Sequence, residues 1–107
     1  MEIVALHTRL KAGREAEYER VHELIPTDLY AALKEAGVHD WRIWRDGQDL
    51  FHLVTVEDYR AMRRKLADHP ANVAWQATVG PLHDVPDDYS GEDDGIPLLW
   101  ALPSEPA

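Results

Sequence analysis

Cysteine is absent from this 107-residue chain, so it offers no disulfide framework, no thiolate nucleophile and no cysteine-based zinc site. Long apolar runs are absent too. Nothing approaches the roughly 20 residues that cross a bilayer, and the opening "MEIVALHTRLKAG" has neither the charged start nor the long apolar centre of a signal peptide. Basic residues are scarce: 11 Lys and Arg stand against 20 Asp and Glu, a net charge of −9. No cationic stripe is left to displace counterions from nucleic-acid phosphates or to hold an anionic membrane. The glycines are scattered, so there is no phosphate-cradling loop. A G-x-S-x-G elbow is missing, and Ser90 and Ser104 fall in an expected loop and tail. Among His7, His22, His39, His52, His69 and His83 there is neither an H-x-H nor a helical i, i+4 pair. His7 and His52 are the one pair a sheet could bring together, and no metal is expected. These exclusions leave a soluble, cytoplasmic, cofactor-poor protein.

What is present is enough for one folded domain: a hydrophobic fraction of 45% with four Trp is far from a disordered composition. "EIVALHTRL" (2–10) alternates with apolar residues on both faces, which predicts a strand inside a sheet and covered on both sides. From Tyr18 through Val21, His22, Ile25, Leu29, Leu33 and Ala36 the spacing is that of an amphipathic helix, closed by Gly37. Pro26 clashes with the carbonyl four residues back, that of His22, so a break is expected at Ile25–Pro26, with Thr27 or Asp28 capping the helical segment beyond it. "VHDWRIW" and "DLFHLVTV" flank a "RDGQ" turn and read as a hairpin. "EDYRAMRRKLADH" is helical, and "PANVAWQATVGPLHD" forms a second helix with Pro70 in its first turn. The stretch 84–94 carries Asp84, Asp87, Asp88, Glu92, Asp93 and Asp94 among Pro, Gly and Ser, and is expected to be a solvated loop or a lid. "IPLLWAL" is a candidate last strand, and 103–107 a flexible tail.

The order β-α-β-β-α-(α)-β is that of a ferredoxin-like split βαβ, an α+β sandwich of antiparallel sheet with helices on one face. The other face then needs cover, and with no further helices available a second copy is the economical choice. A homodimer is expected.

Two groupings carry possible chemistry. Tyr18 and His22 lie four apart, on one helix face. They are either core packing with one satisfied imidazole or a proton-transfer pair at a pocket. Trp41 shares a strand face with Ile43, opposite Arg42 and Trp44; Trp75 and Gln76 form an aromatic-plus-amide pair on the late helix. Aromatic faces beside amide and imidazole groups suit a sugar, whose C–H faces stack while its hydroxyls seek partners. His52 is a further candidate for the same pocket.

In the order and spacing of these groups the chain resembles the L-rhamnose mutarotase family. The resemblance rests on "EYERVHELI", "LKEAGVHDWRIWRDGQDLFHLVTVED" and "PANVAWQATVGPL" in that order, and covers roughly residues 1–82 with an echo at "IPLLWAL". It implies a dimeric ferredoxin-like fold and the interconversion of α and β anomers of a 6-deoxy-hexose, without metal or organic cofactor. By matching position it implies His22 as proton donor and Tyr18 as a sugar contact. Trp41 stands where the family usually has a substrate-contacting tyrosine, and Trp75–Gln76 where a Trp-Trp pair is frequent. Ile25 precedes Pro26 in place of Trp, and Thr55 replaces a common acidic residue. L-Rhamnose is the expected substrate, with L-fucose next. Two other readings share the fold: a cofactor-free monooxygenase and a non-catalytic small-molecule-binding domain.

Overall fold

A computed structural model describes residues 1–102. The expected flexible tail, 103–107, lies outside the described residues. Among the described residues nine elements succeed one another: β1 (Glu2–Leu10), α1 (Glu15–Val21), α2 (Thr27–Glu35), β2 (Val38–Asp46), β3 (Asp49–Val56), α3 (Tyr59–Ala67), α4 (Pro70–Val79), a 3₁₀ turn (Gly80–Leu82) and β4 (His83–Val85). The four strands form one antiparallel sheet in the order β2-β3-β1-β4. Each βαβ unit is thus split by an intervening antiparallel strand, the α+β arrangement expected.

Local chemistry explains the boundaries. Pro26 cannot extend α1, so the chain turns at His22 and restarts with Tyr30 N–H donating to the Pro26 carbonyl at 3.1 Å. The expected cap is corrected here: Pro26 itself occupies the cap position, and Asp28 bonds only the adjacent Leu29 N–H. Gly37 ends α2 at φ +93°, a conformation in which a Cβ would press on Glu57 at 3.1 Å. Asp58 caps α3 by accepting from Ala61 N–H, and His69 caps α4 by accepting from Ala71 N–H, with Pro70 next, at the first helical position.

The helices cover one sheet face. Val4, Leu6, Val54 and Val56 pack under Ala32, Tyr59, Met62, Leu66 and Ala71. A smaller cluster of Leu10, Tyr18, Leu50 and Leu82 closes the end where α1 docks. The far face is open in the single chain: Ile3 is 71% exposed, Trp44 53% and Phe51 43%. The expectation that β1 is covered on both sides fails within one chain for that reason.

The last strand is also corrected. It is His83–Val85, a stretch read from sequence as helix end and loop. Pro81 and Pro86 confine it to three residues, too short for any alternation to show. "IPLLWAL" forms only one bridge, Ile96 to Ala5, and Leu99 is 97% exposed. Pro97 has no N–H, so the pairing begun by Ile96 does not continue.

Candidate active site

All six residues singled out from the sequence line one pocket between the helices and the sheet: Tyr18, His22, Trp41, His52, Trp75 and Gln76. The cleft opens to solvent at its mouth, and aromatic and imidazole rings make up much of its wall. α1 ends at its rim because Pro26 lies just beyond, so His22 is the cap residue rather than an interior helical one.

That position fixes the imidazole. His22 Nδ1 lies 2.8 Å from the Tyr18 carbonyl. A carbonyl only accepts, so Nδ1 carries the hydrogen and Nε2 keeps a lone pair. The ring stacks obliquely on Tyr18 at 4.1 Å between centroids and meets Trp75 edge-on at 5.0 Å. Burial pushes the His22 pKa below its ordinary 6.5; the Tyr18 carbonyl and Asp87 oppose this and the neighbouring His83 adds to it. Its resting form near neutral pH is the base. The Tyr18 phenol is pushed up by burial and by Asp87, and keeps its proton.

Trp41 and His52 are coupled. Trp41 Nε1–H donates to His52 Nδ1 at 3.1 Å, and His52 Nε2 lies 2.9 Å from Thr8 Oγ1. Because Nδ1 accepts, Nε2 carries the hydrogen and donates to the hydroxyl; both nitrogens are engaged. His52 and His7 fall on opposite faces, since Leu6, not His7, sits opposite His52. Among the described residues no cluster of His, Cys, Asp or Glu is placed to hold a metal.

Burial lowers the His52 pKa to about 4 from 6.5, with Asp87 opposing and Arg63 assisting. Between these values the unfolded chain takes up a proton that the folded one refuses, so this contribution is intact above pH 6.5 and lost as pH falls toward 4. The gap is worth about 3 kcal/mol. Urea titrations of the parent are expected to lose stability across that window. His52→Gln, which does not titrate, should show a shallower fall even though it starts less stable; an unchanged slope would remove His52 as the cause.

The sequence reading missed the contributions of Asn72, His83, Asp87 and Tyr89, which also line the pocket. The acidic stretch is not simply solvated: Asp87 pairs with the buried Arg63 at 3.0 Å, and Tyr89 donates to Asn72 Oδ1 at 3.2 Å. Gln76 Nε2 in turn reaches Tyr89 Oη at 3.2 Å. Burial and the Asp87 charge push the Tyr89 phenol up to about 12. Arg63, 1% exposed, lies 4.5 Å from the Tyr89 ring, 5.2 Å from Tyr59 and 5.4 Å from Trp41, and cation–π attraction adds to the ion pair. Arg63 alone in a helix and Asp87 alone in an acidic run gave no sign of this pairing.

Comparison with known proteins sets the chain in a family. The family model for L-rhamnose mutarotase matches residues 3–100. A curated L-rhamnose mutarotase from Agrobacterium fabrum is 32% identical over 101 residues, 92% of this chain and 94% of that protein. Another from Rhizobium meliloti is 33% identical over 100 residues, 92% and 93% of the two chains. The crystal structure of an L-rhamnose mutarotase from Formosa agariphila superposes with a TM-score of 0.77 at 21% identity, covering 96% of this chain and 100% of that one, a likeness of fold. With matched sequence reaching from the first strand to the residues past the acidic loop, this chain belongs to the L-rhamnose mutarotase family of carbohydrate isomerases.

Proposed function

We propose that the protein interconverts the α and β anomers of a 6-deoxy-hexose, L-rhamnose first and L-fucose next, with His22 moving the proton. One observation carries this reading: His22, which lines the pocket, has Nδ1 tied to the Tyr18 carbonyl at 2.8 Å, which leaves Nε2 as a lone-pair acceptor with no hydrogen bond to the described residues. Anomers exchange through the open-chain aldehyde. Nε2 takes the proton of the anomeric hydroxyl O1 and delivers it to the ring oxygen O5 as the C1–O5 bond breaks and the C1=O1 bond forms. Both oxygens are bonded to C1, so one imidazole serves both. After rotation about C1–C2 the steps reverse: O5–H returns its proton through Nε2 to O1 as O5 attacks the other carbonyl face. No electron changes hands and no group leaves.

Tyr18, held protonated by its burial, is suited to donate a hydrogen bond to the sugar. Trp75 and the face of Trp41 supply stacking walls; the Trp41 indole N–H is already bound to His52. We assign His52 the task of fixing that ring rather than touching sugar hydroxyls. Gln76 keeps its carbonyl oxygen for a hydroxyl. We also propose that a second copy covers the open sheet face carrying Ile3, Trp44 and Phe51, and that the homodimer works in the cytoplasm on a free monosaccharide, with neither nucleic acid nor membrane as partner. Among the described residues no helix is long and apolar enough to cross a membrane.

Saturation-transfer NMR on equilibrated L-rhamnose and L-fucose tests the reading. Anomeric exchange is expected to quicken with protein, and the ratio between the sugars gives the preference. No acceleration with either sugar would abandon it for the cofactor-free monooxygenase or the non-catalytic binding domain.

A further inference from the structure

Three imidazoles line the pocket, and their nitrogens are not equally free. His52 has both engaged, by Trp41 and Thr8. His22 has one engaged and one open. His83 has its Nδ1 2.8 Å from the Val79 carbonyl, which makes Nδ1 the donor and leaves Nε2 as an acceptor. Among the described residues that buried Nε2 meets no hydrogen-bond partner, in a residue only 6% exposed. Buried acceptors are nearly always satisfied, so an orphan one beside a pocket calls for a partner, which a hydroxylated ligand can supply as a water can.

His83 shows the same device as His22. Each ring is locked into one tautomer by the carbonyl four residues earlier, and each stands against Tyr18, at 4.1 Å for His22 and 5.5 Å for His83. The elements that hold them are independent: His22 caps α1, whereas His83 opens β4 after the 3₁₀ turn. Two imidazoles, each with its Nε2 left as the acceptor, therefore stand against one phenol in the same pocket.

We propose that His83 Nε2 accepts a hydrogen bond from a hydroxyl of the bound monosaccharide, a second sugar contact that seats the ring so that O1 and O5 meet His22. This rests on the mutarotase reading for the sugar class. No proton is transferred at His83; it orients. A hydroxylated ligand satisfies the orphan acceptor, and an analogue lacking that hydroxyl leaves it unpaired, so the contact also selects among sugars.

Two substitutions separate the roles of the two ring nitrogens. His83→Asn places its amide nitrogen near Nδ1 and keeps the bond to Val79 but removes the Nε2 acceptor. His83→Gln places a polar atom near Nε2 and gives up the Val79 bond. His83→Asn is expected to lower kcat/KM for anomeric exchange by about 10- to 100-fold, the worth of an unmade hydrogen bond, mostly through KM. His83→Gln should recover most of that loss. The reverse ranking would make His83 a structural residue and overturn the proposal.

Nitrogen-15 spectra of histidine-labelled protein supply a readout independent of turnover. Adding L-rhamnose is expected to move the His83 Nε2 resonance upfield, as an imidazole lone pair does on accepting a hydrogen bond, while Nδ1 stays put. A protein that quickens exchange with His83 Nε2 unmoved would overturn this contact and leave the mutarotase reading standing. A protein that moves Nε2 without quickening exchange would keep the contact and fail the catalytic reading.

Discussion

Arg63→Met is expected to cost the protein about 3–5 kcal/mol, the penalty for breaking a buried ion pair from one side. Arg63 sits at 1% exposure with Nη2 3.0 Å from Asp87 and Nε donating to the Tyr59 hydroxyl at 2.9 Å. Burial disfavours its charge, but Asp87 and the surrounding tyrosines hold the guanidinium above its usual value. Methionine fills the volume and leaves Asp87 unpaired beside the pocket. The melting temperature should fall by roughly 12 °C or more, since each kcal/mol moves a domain of this size by about 4–8 °C.

The pair itself is worth far less than its breakage. Among the described residues Arg63 Nη1 has no partner, which takes back part of what Asp87 supplies. Arg63→Met with Asp87→Leu is therefore expected to regain most of the lost stability, a large positive coupling in a double-mutant cycle. Equal losses in the single and double variants would show that the pair is not what Arg63 contributes. The same contacts place Asp87 and Tyr89 against the pocket, so the single variant should also raise KM.

The range of each interaction decides how much of this was readable in advance. The hairpin, the break at Pro26 and the αL glycine at Gly37 depend on neighbours within a few residues, and the sequence carries them openly. Tyr18 and His22 are one helical turn apart, so their joint placement was also local. Trp41, His52, Trp75 and Gln76 sit on three elements; the family resemblance gathered Trp41, Trp75 and Gln76 into one place, and His52 was a further candidate beside them. Asp87 and Tyr89 were hidden because a loop's inward side chains are chosen by a distant partner. Here that partner is Arg63, 24 positions from Asp87, which itself looked like one more charge on an amphipathic helix. His83 was hidden for a different reason: the three-residue strand that turns it inward shows no alternation, and without a strand there was no face to assign. "IPLLWAL" misled in the opposite direction, as its apolar content reports what remains exposed in one chain rather than where it pairs.

His22→Ala is expected to lower kcat/KM for anomeric exchange by about 100- to 10,000-fold, the usual contribution of a positioned general acid–base group. The fold should survive, because the ring caps a helix end at the pocket rim and is only half-buried; circular dichroism checks this. A variant that keeps the parental rate would remove His22 as the proton carrier, whatever else the pocket does.

The pH dependence gives a second handle with a definite sign. Burial, the largest influence, lowers the His22 pKa, the Tyr18 carbonyl and Asp87 raise it, and His83 lowers it further; the net position is below 6.5. Activity drawn from the free Nε2 lone pair should accordingly hold through neutral pH and fall only as pH drops below that ordinary value. Asp87→Asn removes an anion that stabilises the imidazolium, so it should displace this acid limb to still lower pH. A limb that moved upward would mean that Asp87 acts on the rate through something other than the charge state of His22. Loss of the limb altogether in His22→Ala, with a small residual rate that no longer varies between about pH 5 and 7, is the outcome that ties the titrating group to this one imidazole.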